Sequence, residues 1–225
     1  MRYNTPSKTA ELAALVRSSA EHIPFLNSIV CDQYAKYFVS YRIFLVSIYY
    51  RRLKNIKKIS NWSKGVLSIG CLFPLCRHRF FNDIQVNSLK KHIKQVVIIA
   101  AGYDTSSMRL YNSQHAIRLF ELDHPATQAR KKKLIKKYKL PMHEFVTYIP
   151  YDIYKDDIVN QLFKYKFNTS QKTLIIAEGL LSYLERDCIN NFLEKLTKLS
   201  NDIVCSFDYR FPSLILSKKN DSVGS

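Results

Sequence analysis

The spacing of apolar residues changes near residue 95 of this 225-residue chain. Before that point apolar positions recur every three or four residues, a period typical of amphipathic helices. The predicted helices lie near 7–20, 32–53 and 77–92, with looser structure around Pro74. We interpret residues 1–94 as an N-terminal helical cap region.

After residue 95, short runs rich in β-branched residues alternate with helical patterns. The runs predict strands over 96–101, 117–122, 145–151, 174–177 and 203–207. The helical patterns lie near 105–112, 125–139, 155–166 and 185–199. This alternation predicts an α/β fold with a doubly wound parallel sheet covered by helices on both faces. The core domain would span residues 95–225 and form a single compact unit with the cap.

The chain is strongly basic, with 35 Lys and Arg against 18 Asp and Glu, a net charge of +17. Such an excess favours phosphates or anionic membranes as partners. The basic runs, however, are dispersed over 51–58, 90–94 and 130–139, whereas a nucleic-acid surface gathers charge and aromatic rings in one stripe. We interpret the runs as solvated helix faces, and a nucleic-acid partner is an alternative that this dispersal does not favour.

Five cysteines and one apolar stretch bear on the compartment of the protein. Cys71, Cys76 and His78 lie close together, but no second ligand pair follows, so we predict no metal site and reduced thiols. The apolar stretch 37–50 contains Arg42 and is too short to span a bilayer. It favours a core or cap helix, with an interfacial helix as the alternative. With no secretory leader recognised, we expect a cytoplasmic protein.

The turn after the first predicted strand is the first candidate binding element. The segment 96–105 reads VVIIAAGYDT, in which Gly102 permits a ligand to approach the backbone and Asp104 or Thr105 can cap the next helix. The N-terminus of that helix offers unpaired N–H groups. An ordinary strand-to-helix turn explains this segment about as well.

Acidic residues end the next three predicted strands. Asp123 falls about 20 residues after the glycine turn, where Rossmann-type domains place the acid that binds ribose hydroxyls, although a helix-capping acid is the alternative. Alternation along the strand puts Glu121 on the same side as Asp123. At the next strand, Asp152 and Ile153 can hold an adenine ring.

Glu178 ends the fourth strand inside an apolar run. Desolvation should raise its pKa unless a cation compensates, and a sulfonium ligand would be such a cation. Because the carboxyl ends of parallel strands meet at one edge of a sheet, the glycine turn and the three acids should line one crevice.

These segments resemble the leucine carboxyl methyltransferase family, in particular its bacterial branch of S-adenosyl-L-methionine-dependent methyltransferases. The resemblance is carried by VIIAAGYDT at 97–105, ELDHP at 121–125 and AEGLLSYL at 177–184, with SKTA at 7–10, DQYAKYF at 32–38 and RHRFFND at 77–83 upstream. It covers residues 7 to 210 and implies a Rossmann-like methyltransferase sheet with S-adenosyl-L-methionine as the cofactor.

The resemblance also implies roles for single residues. Arg77 would pair with the methionine carboxylate, and Glu178 would contact the methionine amino group or nearby cofactor atoms. Asp123 would hold the ribose. The adenine would lie on Asp152 and Ile153. The first turn would contribute backbone groups at Ala100 and Gly102, with alanine at 100 where the family has glycine.

The chain stops soon after the fifth predicted strand, whereas the family continues through a substrate-cap segment and two further strands. We therefore expect the C-terminal strands to be missing and one sheet edge to be unpaired.

The expected function is methyl transfer from S-adenosyl-L-methionine to a carboxylate or hydroxyl oxygen of a small molecule or protein, with no catalytic residue assigned. A truncated, catalytically impaired cofactor-binding or interaction protein is one alternative. An RNA-directed methyltransferase, motivated by the net charge, is another.

Overall fold

A five-stranded parallel sheet forms the centre of the computed structural model, which describes residues 5–21, 24–41, 45, 61–111 and 117–209. The strands are β1 (Gln95–Ile99), β2 (Arg118–Asp123), β3 (Val146–Pro150), β4 (Thr173–Ala177) and β5 (Ile203–Phe207). They lie in the order β3-β2-β1-β4-β5, and all neighbours are parallel. The chain winds outward from β1 to β3 and then returns to the other side of β1, so the strand order reverses between β1 and β4. This confirms the predicted doubly wound sheet.

The two faces of the sheet are covered by different helices. The helices are α1 (Lys8–Ala20), α2 (Pro24–Ile29), α3 (Asn61–Lys90), α4 (Ser106–Arg109), α5 (Pro125–Lys137), α6 (Ile158–Lys164) and α7 (Arg186–Thr197), with 3₁₀ turns at Ala35–Phe38 and Leu181–Tyr183. On one face Val97 packs in a cluster with Leu162 of α6 and Leu196 of α7. On the other face Val96 packs with Phe81 of α3. Because both faces are buried, β1 and β4 read as continuous apolar runs rather than alternating ones.

Several helix boundaries follow from capping groups close in sequence. The Ser7 hydroxyl accepts from the N–H of Ala10 at the start of α1, and Asp157 does the same for Asn160 of α6. The α5 helix begins with Pro125, as the sequence predicted. The helix predicted over 155–166 begins at Ile158 in the structure, because Asp157 caps its N-terminus.

The prediction of a helix over 32–53 is wrong in its first part. The Asp32 carboxylate accepts from the N–H groups of Tyr34 and Ala35, which closes a turn and leads into the 3₁₀ turn Ala35–Phe38. An acid that bonds the backbone ahead of it competes with helical hydrogen bonding. Residues 42–44 and 46–53 lie outside the described residues, as does most of the apolar stretch 37–50.

The prediction of looser structure around Pro74 is also wrong. The α3 helix runs through Pro74 without a break. Proline removes one helical hydrogen bond and its ring crowds the carbonyl four residues earlier. The helix persists because Leu75 and Phe81, which follow Pro74, are buried against the rest of the fold.

Two further sequence predictions concern a membrane-spanning segment and the C-terminal strands. Among the helices that the structure describes, none is both long and apolar enough to cross a membrane. The expectation about C-terminal strands concerns residues after 209, which lie outside the described part of the chain.

Candidate functional site

A cavity of about 700 Å³ opens where the strand order reverses, at the carboxyl ends of β1, β2 and β4. Residues of helices α1 and α3 also line it. All the residues predicted to bind a cofactor line it, namely Arg77, Ala100, Gly102, Asp123, Asp152, Ile153 and Glu178. Residues that lie up to 101 positions apart along the chain thus meet in one place.

The turn after β1 has two residues in the left-handed region, Ala100 at φ +54° and Gly102 at φ +51°. A β-carbon on Gly102 would lie 3.0 Å from the β-carbon of Ala10, on α1. Glycine at 102 is therefore required by the backbone conformation and by the approach of α1, whereas the sequence suggested only the approach of a ligand.

A hydrogen bond to Asp123 links this turn to the end of β2. Oδ2 of Asp123 accepts a hydrogen bond of 2.5 Å from the N–H of Gly102. Burial raises the pKa of Asp123 to about 6, and the hydrogen bond from Gly102 limits that rise. The neighbouring acid Glu121 does not line the cavity. It forms a fully buried pair with Lys131, at 2.5 Å.

Arg77 lies between two carboxylates on one side of the cavity. Its Nε donates to Oε1 of Glu178 at 3.1 Å, and its Nη1 donates to Oδ2 of Asp208 at 3.3 Å. The other oxygen of Asp208 accepts from the N–H of Gly179. Sequence reasoning missed Asp208, which directly follows β5. The sequence could have indicated Asp208, since it is an acid at the carboxyl end of the fifth predicted strand.

The Glu178 carboxylate is stabilised as an anion by its neighbours. Burial alone would raise its pKa, but contact with His78 and then the charge of Arg77 outweigh burial, and the pKa is lowered. The cations that the sequence required are thus supplied by the protein itself. Nη2 of Arg109 lies 3.1 Å from Nε2 of His78, and Nδ1 of the same ring lies 3.0 Å from Oε2 of Glu178, so His78 links Arg109 to the carboxylate.

Asp104 belongs to the same polar network. Burial would raise its pKa, but His78, Lys131 and Arg109 outweigh it and lower the pKa to about 2. Its Oδ1 accepts from the N–H of Ser106 and caps α4. His78, Asp104 and Glu178 offer ligand atoms within 4.8 Å of one another. These groups already bond to arginine, serine and each other, so the arrangement is a hydrogen-bonded network.

Asp32 joins this region to helix α1. Its buried carboxylate accepts from Arg17 Nε at 2.9 Å and from the Thr105 hydroxyl at 2.8 Å. Burial would raise the pKa of Asp32, but the charges of Arg17 and Arg109 outweigh it and the pKa is lowered. Arg17 also donates to the carbonyl of Tyr103 in the turn after β1, at 2.6 Å. The sequence motif containing Asp32 contributed to the resemblance, but only the structure shows what the acid holds.

The other end of the cavity is formed by the segment after β3. Oδ1 of Asp152 accepts from the N–H of Tyr154 at 3.1 Å, and Oδ2 lies 3.9 Å from Nζ of Lys155 and 4.0 Å from Nε2 of His124. Ile153 packs against the core from the cavity side. A carboxylate thus stands beside an apolar side chain, as the sequence predicted.

The sequence of this chain matches a known protein family. Residues 10–197 match the family model described as leucine carboxyl methyltransferase. The chain is 31% identical over 153 residues to YktD of Bacillus subtilis, and the match covers 64% of this chain and 48% of YktD. It is 26% identical over 202 residues to a Mycobacterium bovis protein, and this match covers 87% of this chain and 62% of that protein. Both relatives are named as S-adenosyl-L-methionine-dependent methyltransferases.

Among solved structures, the apo form of the S-adenosylmethionine-dependent methyltransferase SibL aligns with a TM-score of 0.41 and 16% identity, over 66% of this chain and 43% of SibL. The chain spans about half the length of the curated relatives it matches. Since the family model covers most of the sequence, the chain belongs to the leucine carboxyl methyltransferase family.

Proposed function

We propose that this cavity binds S-adenosyl-L-methionine and that the protein transfers the cofactor's methyl group to an oxygen nucleophile. One observation carries the proposal. The ion pair of Arg77 and Glu178 lines one side of the cavity, and a carboxylate beside an apolar side chain stands at the end of β3. The first set suits a zwitterionic amino acid and the second an adenosine.

The adenosine end would lie against β2 and the segment after β3. Asp123 offers carboxylate oxygens to the ribose hydroxyls, since an acid at this position of a Rossmann-like sheet accepts such hydrogen bonds. Asp152 would accept from the exocyclic amine of adenine while Ile153 covers the ring. Backbone groups at Ala100 and Gly102 would form the floor between the two ends.

The amino-acid end would lie against Arg77 and Glu178, which both line the cavity. A guanidinium binds a carboxylate through two parallel N–H donors. Glu178 is held ionised by its neighbours, so it is ready to accept from an ammonium group. Asp208 shares Arg77 with Glu178 but does not line the cavity, so we propose that it positions Arg77 for the cofactor.

When bound, the cofactor supplies a methyl group on a positively charged sulfur, open to in-line attack by the acceptor. The residues of this chain orient the two reactants and exclude water from them. A carboxylate acceptor requires no proton removal, whereas a hydroxyl requires a general base. We propose a carboxylate or hydroxyl oxygen of a small molecule or a protein as the acceptor.

The binding half of this proposal is tested by isothermal titration with two ligands. S-adenosylhomocysteine carries the amino-acid end, and 5′-methylthioadenosine lacks it. Asp208→Asn should lower the affinity for S-adenosylhomocysteine about tenfold, since one charge-assisted hydrogen bond contributes roughly 1.5–3 kcal/mol. The affinity for 5′-methylthioadenosine should change by no more than about twofold. Asp152→Asn should lower the affinity for both ligands.

Asp202→Asn, an exposed acid paired with Lys172 just before β5, is the matched control and should change neither affinity. If S-adenosylhomocysteine does not bind, or if Asp208→Asn weakens both ligands equally, the proposed orientation is wrong. The acceptor class is read from the product of tritium transfer in a cell extract. Methyl esters release labelled methanol in mild alkali, and methyl ethers do not.

A further inference from the structure

The outer side of α5 and the residue pair that follows it carry an uncompensated positive surface. We call it the α5 basic face and define it by Lys132, Lys133, Lys136, Lys137 and Lys139, all exposed. No acidic residue occurs between 125 and 143. Within the described chain these five lysines form no ion pair, whereas their neighbours Arg130 and Lys131 pair with Glu11 and Glu121.

The basic residues of α5 therefore lie on two faces of the helix and have different surroundings. Two cations point inward and neutralise buried acids, and the other five are exposed, with no acidic partner among the described residues. Lysines 132 and 136, and likewise 133 and 137, are four residues apart, where like charges destabilise a helix. The helix dipole favours cations in the last turn, at Lys136 and Lys137, but does not account for Lys132 and Lys133.

An aromatic pair stands at the end of this face. Tyr138 is 42% exposed and packs against Tyr37 with ring centroids 5.1 Å apart. Nζ of Lys137 lies 4.9 Å from the centroid of Tyr138, and Nζ of Lys36 lies 5.9 Å from that of Tyr37. Rings interleaved with lysines are the combination that single-stranded nucleic acids require, because bases stack while lysines follow the phosphates.

We propose that the α5 basic face, together with Tyr37 and Tyr138, binds single-stranded nucleic acid. A membrane fits this surface less well, because an in-plane helix inserts large apolar side chains and α5 exposes none between Pro125 and Lys137. The basic run at 130–139 thus presents its exposed lysines beside two aromatic rings.

The surface is separate from the cavity. His124 lines the cavity and caps α5, so the 13 residues of α5 carry its C-terminus about 20 Å away at 1.5 Å per residue. Nucleic-acid binding and cofactor binding should therefore respond to different substitutions, and the failure of one proposal leaves the other standing.

The test measures fluorescence anisotropy of a labelled 20-nucleotide single-stranded RNA against the full chain over a series of salt concentrations. The variant replaces Lys132, Lys133, Lys136 and Lys137 by glutamine, which keeps helix propensity. We expect a loss of affinity of tenfold or more. The slope of log affinity against log salt should become shallower by about 3, since each phosphate contact on a single strand contributes roughly 0.7. Tyr138→Leu should lower affinity about fivefold without changing the slope.

A matched variant replaces Lys90, Lys91, Lys164 and Lys166, four exposed lysines elsewhere, by glutamine. Affinity close to that of the unchanged chain supports the proposal, and an equal loss in both variants overturns it, because binding would then follow bulk charge. Binding to vesicles containing phosphatidylserine but not to RNA also overturns it. Unchanged S-adenosylhomocysteine affinity and melting temperature show that both variants are folded.

Discussion

A β-carbon on Gly179 would lie 3.1 Å from Nη2 of Arg77 and 3.3 Å from its Cζ. Gly179 also has φ +66°, and its N–H donates to Asp208, the same acid that accepts from Arg77. The guanidinium can lie against the backbone after β4 only because no side chain stands there. Glycine at this position thus sets where the arginine sits in the cavity.

Gly179→Ala should displace Arg77 and strain the backbone. Because the left-handed region costs a non-glycine residue roughly 1–2 kcal/mol, we expect a loss of stability of that order, measured by urea unfolding. S-adenosylhomocysteine should bind about tenfold more weakly by titration calorimetry, and 5′-methylthioadenosine should change little. An equal loss for both ligands would show that the substitution disturbs the whole cavity rather than the position of Arg77.

Ala100→Gly should stabilise the protein. Ala100 has φ +54°, which glycine adopts without steric cost, although glycine gives the unfolded chain more freedom. The expected net gain is about 0.5–1 kcal/mol in urea unfolding. Ala101→Gly, next to it and without a positive φ, serves as the control and should destabilise. Destabilisation by Ala100→Gly would mean that the alanine methyl makes contacts that outweigh the strain.

The pKa of Asp123 predicts two opposite pH trends. Its pKa is raised from 3.8 in the unfolded chain to about 6, so between those values the folded state holds a proton that the unfolded state has lost. The resulting stabilisation is complete below pH 4 and is lost as the pH rises through 6, by at most roughly 3 kcal/mol. Over the same range ionisation should strengthen S-adenosylhomocysteine binding, since the carboxylate accepts from the ribose hydroxyls.

Asp123→Asn has no group that titrates there, so it should lack both trends when unfolding and calorimetry are repeated from pH 4 to 8. Asp152→Asn keeps Asp123 and should retain the stability trend. If the two variants show the same pH profile of stability, another group is responsible.

Lys131→Met should destabilise the fold strongly. Lys131 and Glu121 are each about 1% exposed, and Nζ of Lys131 donates to Oε2 of Glu121, so Lys131 supplies the charge that compensates the buried carboxylate. Burial already raises the pKa of Glu121. Removing one partner of a buried pair costs about 3–5 kcal/mol, measured by urea unfolding. Adding Glu121→Leu should recover most of the loss, and a single substitution costing under 1 kcal/mol would contradict this account.

The amino-acid sequence by itself determined the order of strands and helices, since the change of apolar period near residue 95 and the alternation after it follow from burial on two sheet faces. It also placed Asp123, Asp152 and Glu178 at the ends of strands. Parallel strands bring such ends together, so the location of the site could be predicted without coordinates.

Only the tertiary structure decided what each polar group meets. Asp208 follows a strand that lies beside β4, so its contact with Arg77, 131 residues away, depends on the packing of α3 over the sheet. The cations that hold Glu178 ionised, the turn closed by Asp32 and the outward sorting of the α5 lysines arise in the same way. Hydrogen bonds and ion pairs between distant segments depend on distances of a few ångströms, and local patterns of polarity do not encode them.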